Sequence, residues 1–281
     1  MINSRAFGKA MVVYGAAALL AAAQDPTGGD GARALWNSKF ADARTQPGGE
    51  SRQAPARDAE AFVGVTVWRL RSARASDPSG VRLLVHERDR QQSFTPERVD
   101  TSTPLSIGER IRIGIESARS GYLYVIDRER YGSGEVGPPY LIFPTRRIHG
   151  GENKVRAGRL IEIPGELDSP QYLTLRRSRP DQIGEQLTVI VAPQPLPDLV
   201  SEGDPLRLDA AQVRQWEQKW GAGVKTLNTP AAGKTMTPAE RDSASGGPLL
   251  RAGDPLPQQL YRVAAQPGQP VLVSLELKIG R

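Results

Sequence analysis

Two imidazoles, no thiol and many carboxylates set the chemistry open to this chain. Cysteine is absent and His86 and His149 are the only histidines. Thiol nucleophiles, disulfides and thiolate metal sites are therefore excluded. A Ser-His-Asp triad needs an imidazole beside an activated serine, and the spacing selects no serine for either histidine. His86 lies in a run with strand-like alternation, and His149, between Arg146-Arg147 and Gly150-Gly151, reads as a loop residue. Glu129, Glu135, Glu162 and Glu166 could meet across a sheet as the two carboxyl groups of a glycoside hydrolase. Solvation of all four is the competing reading, and the sequence selects no pair.

Two phosphate-binding patterns fail on inspection. Gly132-Ser133-Gly134-Glu135-Val136-Gly137 matches G-x-G-x-x-G, but the dinucleotide site needs a helix to open at the third glycine. Pro138-Pro139 force an extended backbone there, so the segment reads as a hairpin loop. Gly233-Lys234-Thr235 resembles the tail of a P-loop, yet Asn228 stands where that motif requires glycine. Neither a G-x-S-x-G elbow nor an acidic calcium loop occurs. No catalytic residue, cofactor or metal is assigned.

An aromatic set offers recognition rather than catalysis. Tyr122 and Tyr124 share one face of a strand, Tyr131 sits in the loop leading to Tyr140, and Arg146 and Arg147 follow. Tyrosine and arginine are enriched where proteins touch, so these six residues form the candidate partner-binding surface. Phe143 lies in the same stretch, and core packing would use these aromatics equally well.

Stepping along the chain, the elements that must position these groups are strands. Val63, Val65 and Val67 alternate with Gly64, Thr66 and Trp68, a period of two that predicts a strand with one aliphatic face. Further strand-like runs are Val81 to His86, Arg110 to Glu116, Tyr122 to Ile126, Tyr140 to Phe143, Leu160 to Ile163, Tyr172 to Leu175 and Leu187 to Val191. In the second of these Ile111, Ile113 and Ile115 fall on one side, with the Arg and Glu residues on the other. Short alternating strands without crossover helices predict a mostly β protein, an antiparallel β-sandwich of Ig-like or related type.

One helix is expected in the C-terminal half. Asp209 is its N-cap, Gln212 three residues on suggests a capping box, and Gly221 ends it. Val213, Trp216 and Trp220 give it an apolar face. The two tryptophans could form a ligand platform or be buried against the sandwich. A Pro-rich stretch at 193–204 precedes the helix, a loop is expected over 222–258, and two runs, Gln259 to Ala265 and Val271 to Ile279, predict a closing β-hairpin.

The chain has 281 residues, 38% hydrophobic, with 37 basic against 31 acidic side chains. Arg5 and Lys9, the apolar stretch Ala10 to Leu20 and Ala21-Ala22-Ala23 read as a secretory signal. The stretch is shorter than the roughly 20 residues that span a bilayer, so no membrane span is expected after signal cleavage. Interspersed charges such as Arg88-Asp89-Arg90 describe a solvated surface rather than a nucleic-acid track. Basic residues dominate from Tyr140 to Pro180, which suits a solvated sheet face or an anionic partner. The expected organisation is a signal peptide at 1–23, a flexible lead at 24–60 in which Trp36 could anchor, a sandwich at 61–197, and at 198–281 the helix, loop and hairpin packed on the same domain.

The segment Ile107 to Pro193 resembles the DUF4384 family, bacterial domains of unknown function. The residues carrying the resemblance are Gly108-Glu109-Arg110-Ile111-Arg112-Ile113, Ser120-Gly121-Tyr122-Leu123-Tyr124-Val125-Ile126, Leu141-Ile142-Phe143-Pro144, Asn153-Lys154-Val155-Arg156-Ala157-Gly158, Ile161-Glu162-Ile163-Pro164, and the late strand Gln186 to Val191. It implies a small β-rich module of exported or membrane-attached bacterial proteins and supplies no catalytic residue. The expectation is an exported, periplasmic or extracellular, non-enzymatic module that binds an envelope protein or an anionic polymer. The alternative is an envelope glycan hydrolase built on a carboxylate pair.

Overall fold

The computed structural model describes residues 60–280 apart from 88–89, 100–101, 198, 200, 230–231, 252 and 267, with 86, 87 and 90 described by their backbone. The signal peptide, most of the lead and Trp36 lie outside the described residues.

Alternation of β-branched and aliphatic side chains makes the strands, and two antiparallel sheets result. In chain order the strands are β1 (Glu60–Ser72), β2 (Leu83–Glu87), β3 (Arg90–Arg98), β4 (Arg110–Ser117), β5 (Gly121–Tyr131), β6 (Tyr140–Phe143), β7 (Lys154–Val155), β8 (Leu160–Ile163), β9 (Leu173–Thr174), β10 (Gln182–Ala192) and β11 (Leu206–Arg207). Helix α1 (Ala210–Trp220), β12 (Lys225–Asn228), α2 (Pro238–Ala244), β13 (Gln259–Ala264) and β14 (Val271–Lys278) complete the chain. The first sheet has the order β12-β13-β1-β3-β2, with β4 on the other side of β1 and β8 and β9 beyond it. The second has the order β11-β6-β5-β10-β14, with β7 added to β5.

The core lies between the sheets. Val63, Val65 and Val67 of β1 and Ile111, Ile113 and Ile115 of β4 meet Leu123 and Val125 of β5, Leu187, Val189 and Val191 of β10, and Val271, Val273, Leu275 and Leu277 of β14. Each such side chain taken fully from water contributes about 1.5–3 kcal/mol. At the start of β5 a side chain on Gly121 would run into the Ala192 carbonyl, so close approach of β10 rather than turn geometry requires glycine there.

Three expectations from the sequence are corrected: the single helix, the loop over 222–258 and the closing hairpin. The face of β1 and β4 opposite their aliphatic side is covered, with Thr66, Trp68, Arg112 and Glu116 buried, because α2 and the chain around it pack on that face of the sheet. The stretch 222–258 is not simply a loop, since it holds β12 and α2. Helix α2 is only seven residues long but carries a full capping box, with Thr237 and Glu240 each satisfying the other's backbone N–H.

The closing pair is not a hairpin. β13 pairs with β1 and β12 in one sheet, and β14 pairs with β10 in the other. The connection from Ala265 to Pro270 therefore crosses the sandwich. Alternation gives each strand a buried face but does not name its partner. The G-x-G-x-x-G segment is a turn as expected, with Gly134 N–H donating to the Tyr131 carbonyl at 3.0 Å and β6 returning antiparallel to β5.

Candidate functional site

Helix α1 lies across the outer face of the second sheet. Asp209 caps it by accepting from Ala211 N–H at 2.6 Å and Gln212 N–H at 3.0 Å, and Gly221 ends it. Val213 is fully buried in a second apolar layer with Tyr124, Ile126, Leu141, Ile190 and Leu272. Trp216 and Trp220, one turn apart, pack at the margin of that layer and stack with ring centroids 5.6 Å apart and planes 12° from parallel. Both remain partly exposed. A groove of about 420 Å³ runs along them, lined by Gln215, Trp216, Gln218, Lys219 and Trp220. Glu217, on the same helix, points instead to Arg128 and Gln186 of the sheet beneath, at 3.5 Å from each. A second groove of about 410 Å³, where α1 ends, is lined by Gln186, Glu217, Gly221, Val224, Thr226, Tyr261, Leu272 and Ser274.

The six residues expected to form one partner-binding surface are placed in four settings. Tyr124 is 2% exposed and its hydroxyl accepts from Leu196 N–H at 2.8 Å, and Tyr122 packs against the same apolar layer. Tyr131 is 4% exposed; its hydroxyl donates to Glu129, and the Arg179 guanidinium lies 3.8 Å from its ring centre. Tyr140, 38% exposed, stands at the sheet margin opposite Arg207 of β11. Arg146 and Arg147 are exposed and paired with Glu202 at 2.9 Å and Asp204 at 3.6 Å. Tyr124 and Tyr131 thus serve packing and internal hydrogen bonds, and the single surface read from their spacing is not assembled. The physical reason is the strand period: Tyr122 and Tyr124 share a face, but it is the face that α1 covers.

The carboxylates named in the sequence also separate. Glu135 pairs with Arg179 at 3.0 Å, Glu162 with Arg112 at 3.1 Å, and Glu166 with Arg241. Buried Glu162 nevertheless lies within reach of the Glu166 and Glu240 charges. Glu129 joins acids that escaped the sequence reading. It stands opposite Glu185 across β5 and β10, with Asp127 two residues along the same face. Ser178 Oγ donates to Glu129 at 2.7 Å, and Gln182 Nε2 donates to Glu185 at 2.7 Å. Asp127 Oδ1 and Glu185 Oε2 are buried and accept from no N–H or hydroxyl group, and the Asp127 and Glu185 carboxyls hydrogen-bond each other. Burial first, then the neighbouring carboxylates, hold both Asp127 and Glu185 well above the usual carboxylate range. The signal was present: Asp127 and Glu129 continue the alternation of Leu123 and Val125, and Glu185 that of Leu187, so their face is the inner one.

His149 is placed by its backbone. Its φ of 51° is left-handed, a costly conformation for a side-chain-bearing residue. Asp168 secures it by accepting from His149 N–H at 2.8 Å and Gly165 N–H at 2.6 Å. The ring Nε2 lies 2.7 Å from the Glu162 carbonyl, which can only accept, and 3.6 Å from Asp168. The imidazole Nε2 is therefore a donor to the backbone of β8. Among the described residues no group of three or more His, Asp or Glu side chains is disposed to hold a metal ion, and no helix is long and apolar enough to cross a membrane. No protein-family model, curated protein or solved structure matches this chain.

Proposed function

We propose that the protein is an exported, non-enzymatic binding module of the bacterial cell envelope that recognises an anionic glycan polymer on the outer face of α1. The observation that carries this reading is the stacked Trp216–Trp220 pair, left partly exposed along a groove that also presents Lys219. Indole faces and edges pack against the C–H surfaces of sugar rings, and the amide groups of Gln215 and Gln218 are suited to hydroxyls. The charge of this surface fits an acidic ligand. Arg207, Arg214 and Lys219 are exposed, while Glu217 turns inward to Arg128 and Gln186. The secretory pattern and the resemblance of residues 107–193 to the DUF4384 family support placement in the envelope.

The test is a titration of the full chain with an acidic polysaccharide, a neutral polysaccharide of equal length and solubilised cell-wall fragments, followed by tryptophan fluorescence. The expected outcome is salt-sensitive binding of the acidic polymers, weakened roughly tenfold or more by Trp216→Ala, as for an aromatic hot spot. Absence of binding to every polymer, or unchanged affinity in Trp216→Ala, defeats the reading. Recovery of one envelope protein bound to the same face would replace the glycan with a protein partner.

A further inference from the structure

The layer that covers the outer face of the first sheet contains four buried polar atoms with no hydrogen-bond partner: Trp68 Nε1, Arg112 Nη2, Glu162 Oε1 and Ser243 Oγ. Their residues are 1%, 0%, 4% and 0% exposed. Most buried polar groups in folded proteins are bonded to protein or to ordered water, so four in one layer call for a common explanation.

Strand register brings three of them together. Trp68 stands opposite Arg112 across β1 and β4, and Gly114, two residues on, stands opposite Glu162 across β4 and β8. Arg112 Nη1 donates to Glu162 Oε2 at 3.1 Å, which leaves Nη2 and Oε1 as the unused halves of that ion pair. Gly114 lets the indole close in over β4, because a Cβ there would lie 3.1 Å from Trp68 Nε1 and 3.4 Å from Leu160 Cδ1 and would push the indole N–H away from Glu162. Ser243 is on the buried face of α2, which packs on β8.

The chemistry of the set is two N–H donors and one carboxylate acceptor, with a hydroxyl in the same layer. A metal cation would face the donors Trp68 and Arg112, and an anion would face Glu162. A molecule that accepts twice and donates satisfies all three. We propose that Trp68, Arg112 and Glu162 form an internal hydration site, in which one water accepts from Trp68 Nε1 and Arg112 Nη2 and donates to Glu162 Oε1. Internal waters typically make about three such bonds. The water joins β1, β4 and β8.

A crystal structure of the full chain resolving ordered solvent is expected to show a peak within hydrogen-bond distance of all three atoms. An empty site, or an anomalous peak there after a bromide soak, overturns the proposal. Gly114→Ala is expected to expel the water and lower the melting temperature by a few degrees; a peak that persists unmoved in that variant also counts against it. Should the variant not fold, the wild-type protein decides the matter in solution. A nuclear Overhauser contact between water and the Trp68 indole N–H, assigned by its loss in Trp68→Phe, is expected, and its absence from a well-resolved wild-type indole resonance refutes the site.

Discussion

Two regions of this sandwich bury charge, and they balance it by opposite means. Over the first sheet, carboxylates meet cations: Arg98 bonds Glu240, Arg112 bonds Glu162, and Arg241 bonds Glu166. Between β5 and β10 of the second sheet, Asp127, Glu129 and Glu185 share one face, and the acids of that face are met by hydroxyls and an amide. In the first region each of these carboxylates has a cation beside it, although burial still pushes Glu162 above the usual carboxylate range against the pull of Arg112. In the second, Asp127 and Glu185 hold protons instead, so the charge of that pair follows pH. A buried ion pair is therefore a fastener, whereas a buried acid cluster is a titrating element.

The largest expected effect comes from breaking the fastener. Arg98 and Glu240 are each 2% exposed, and Arg98 also donates to the Leu256 carbonyl and lies 4.8 Å over the Trp68 ring. Glu240→Ala strands the guanidinium, and urea denaturation should show a loss of about 3–5 kcal/mol. Replacing both partners by apolar residues of similar volume should recover most of that loss, since it removes the uncompensated charge. If the double variant is no more stable than the single one, the pair contributes more than charge balance.

The second effect is pH-dependent. Asp127 and Glu185 hold their protons to higher pH in the fold than in the unfolded chain, where carboxyls titrate near about 4. Their stabilising contribution is complete below the unfolded values and is lost as pH rises through the folded ones. Melting curves from about pH 5 to about pH 9 should show wild type losing stability relative to Glu185→Gln, by on the order of 2 kcal/mol at the alkaline end. A constant difference across that range would place the acids in an ordinary solvated setting and remove the contrast between the two regions.

The smallest effect lies outside both regions. Arg146 and Glu202 are paired on the surface, with side chains 64% and 77% exposed. Arg146→Ala should change stability by no more than about 0.5 kcal/mol in the same urea assay. A larger loss would mean that exposed pairs fasten this protein as firmly as the buried ones.

Strand existence was legible where alternation was strong. The isoleucines of β4, the valines of β1 and the run Tyr140 to Phe143 gave their elements directly, as did Asp209 and Gly221 for α1. β3 was missed because its residues Arg90–Arg98 are mostly polar, and the ends of β5 and β10 were missed because acidic residues occupy inner positions there. The same positions hold the acid cluster, so these weakly strand-like ends contain two strongly perturbed carboxyls, Asp127 and Glu185. Trp216 and Trp220 were visible as an apolar face, but their mutual stacking and partial exposure were not.

By itself the sequence determined what depends on local period and local sterics: which segments extend, where α1 starts and stops, that the proline pair after Gly137 prevents a nucleotide-binding helix, and that thiol chemistry is impossible. Only the tertiary structure decided what depends on the partner across space. It sent β13 and β14 to opposite sheets, covered the charged side of β4, and set Glu129 against Glu185 rather than against Glu135, Glu162 or Glu166. The reason is physical: a side chain's face follows from a period of two in its own strand, but its neighbours follow from the register of another.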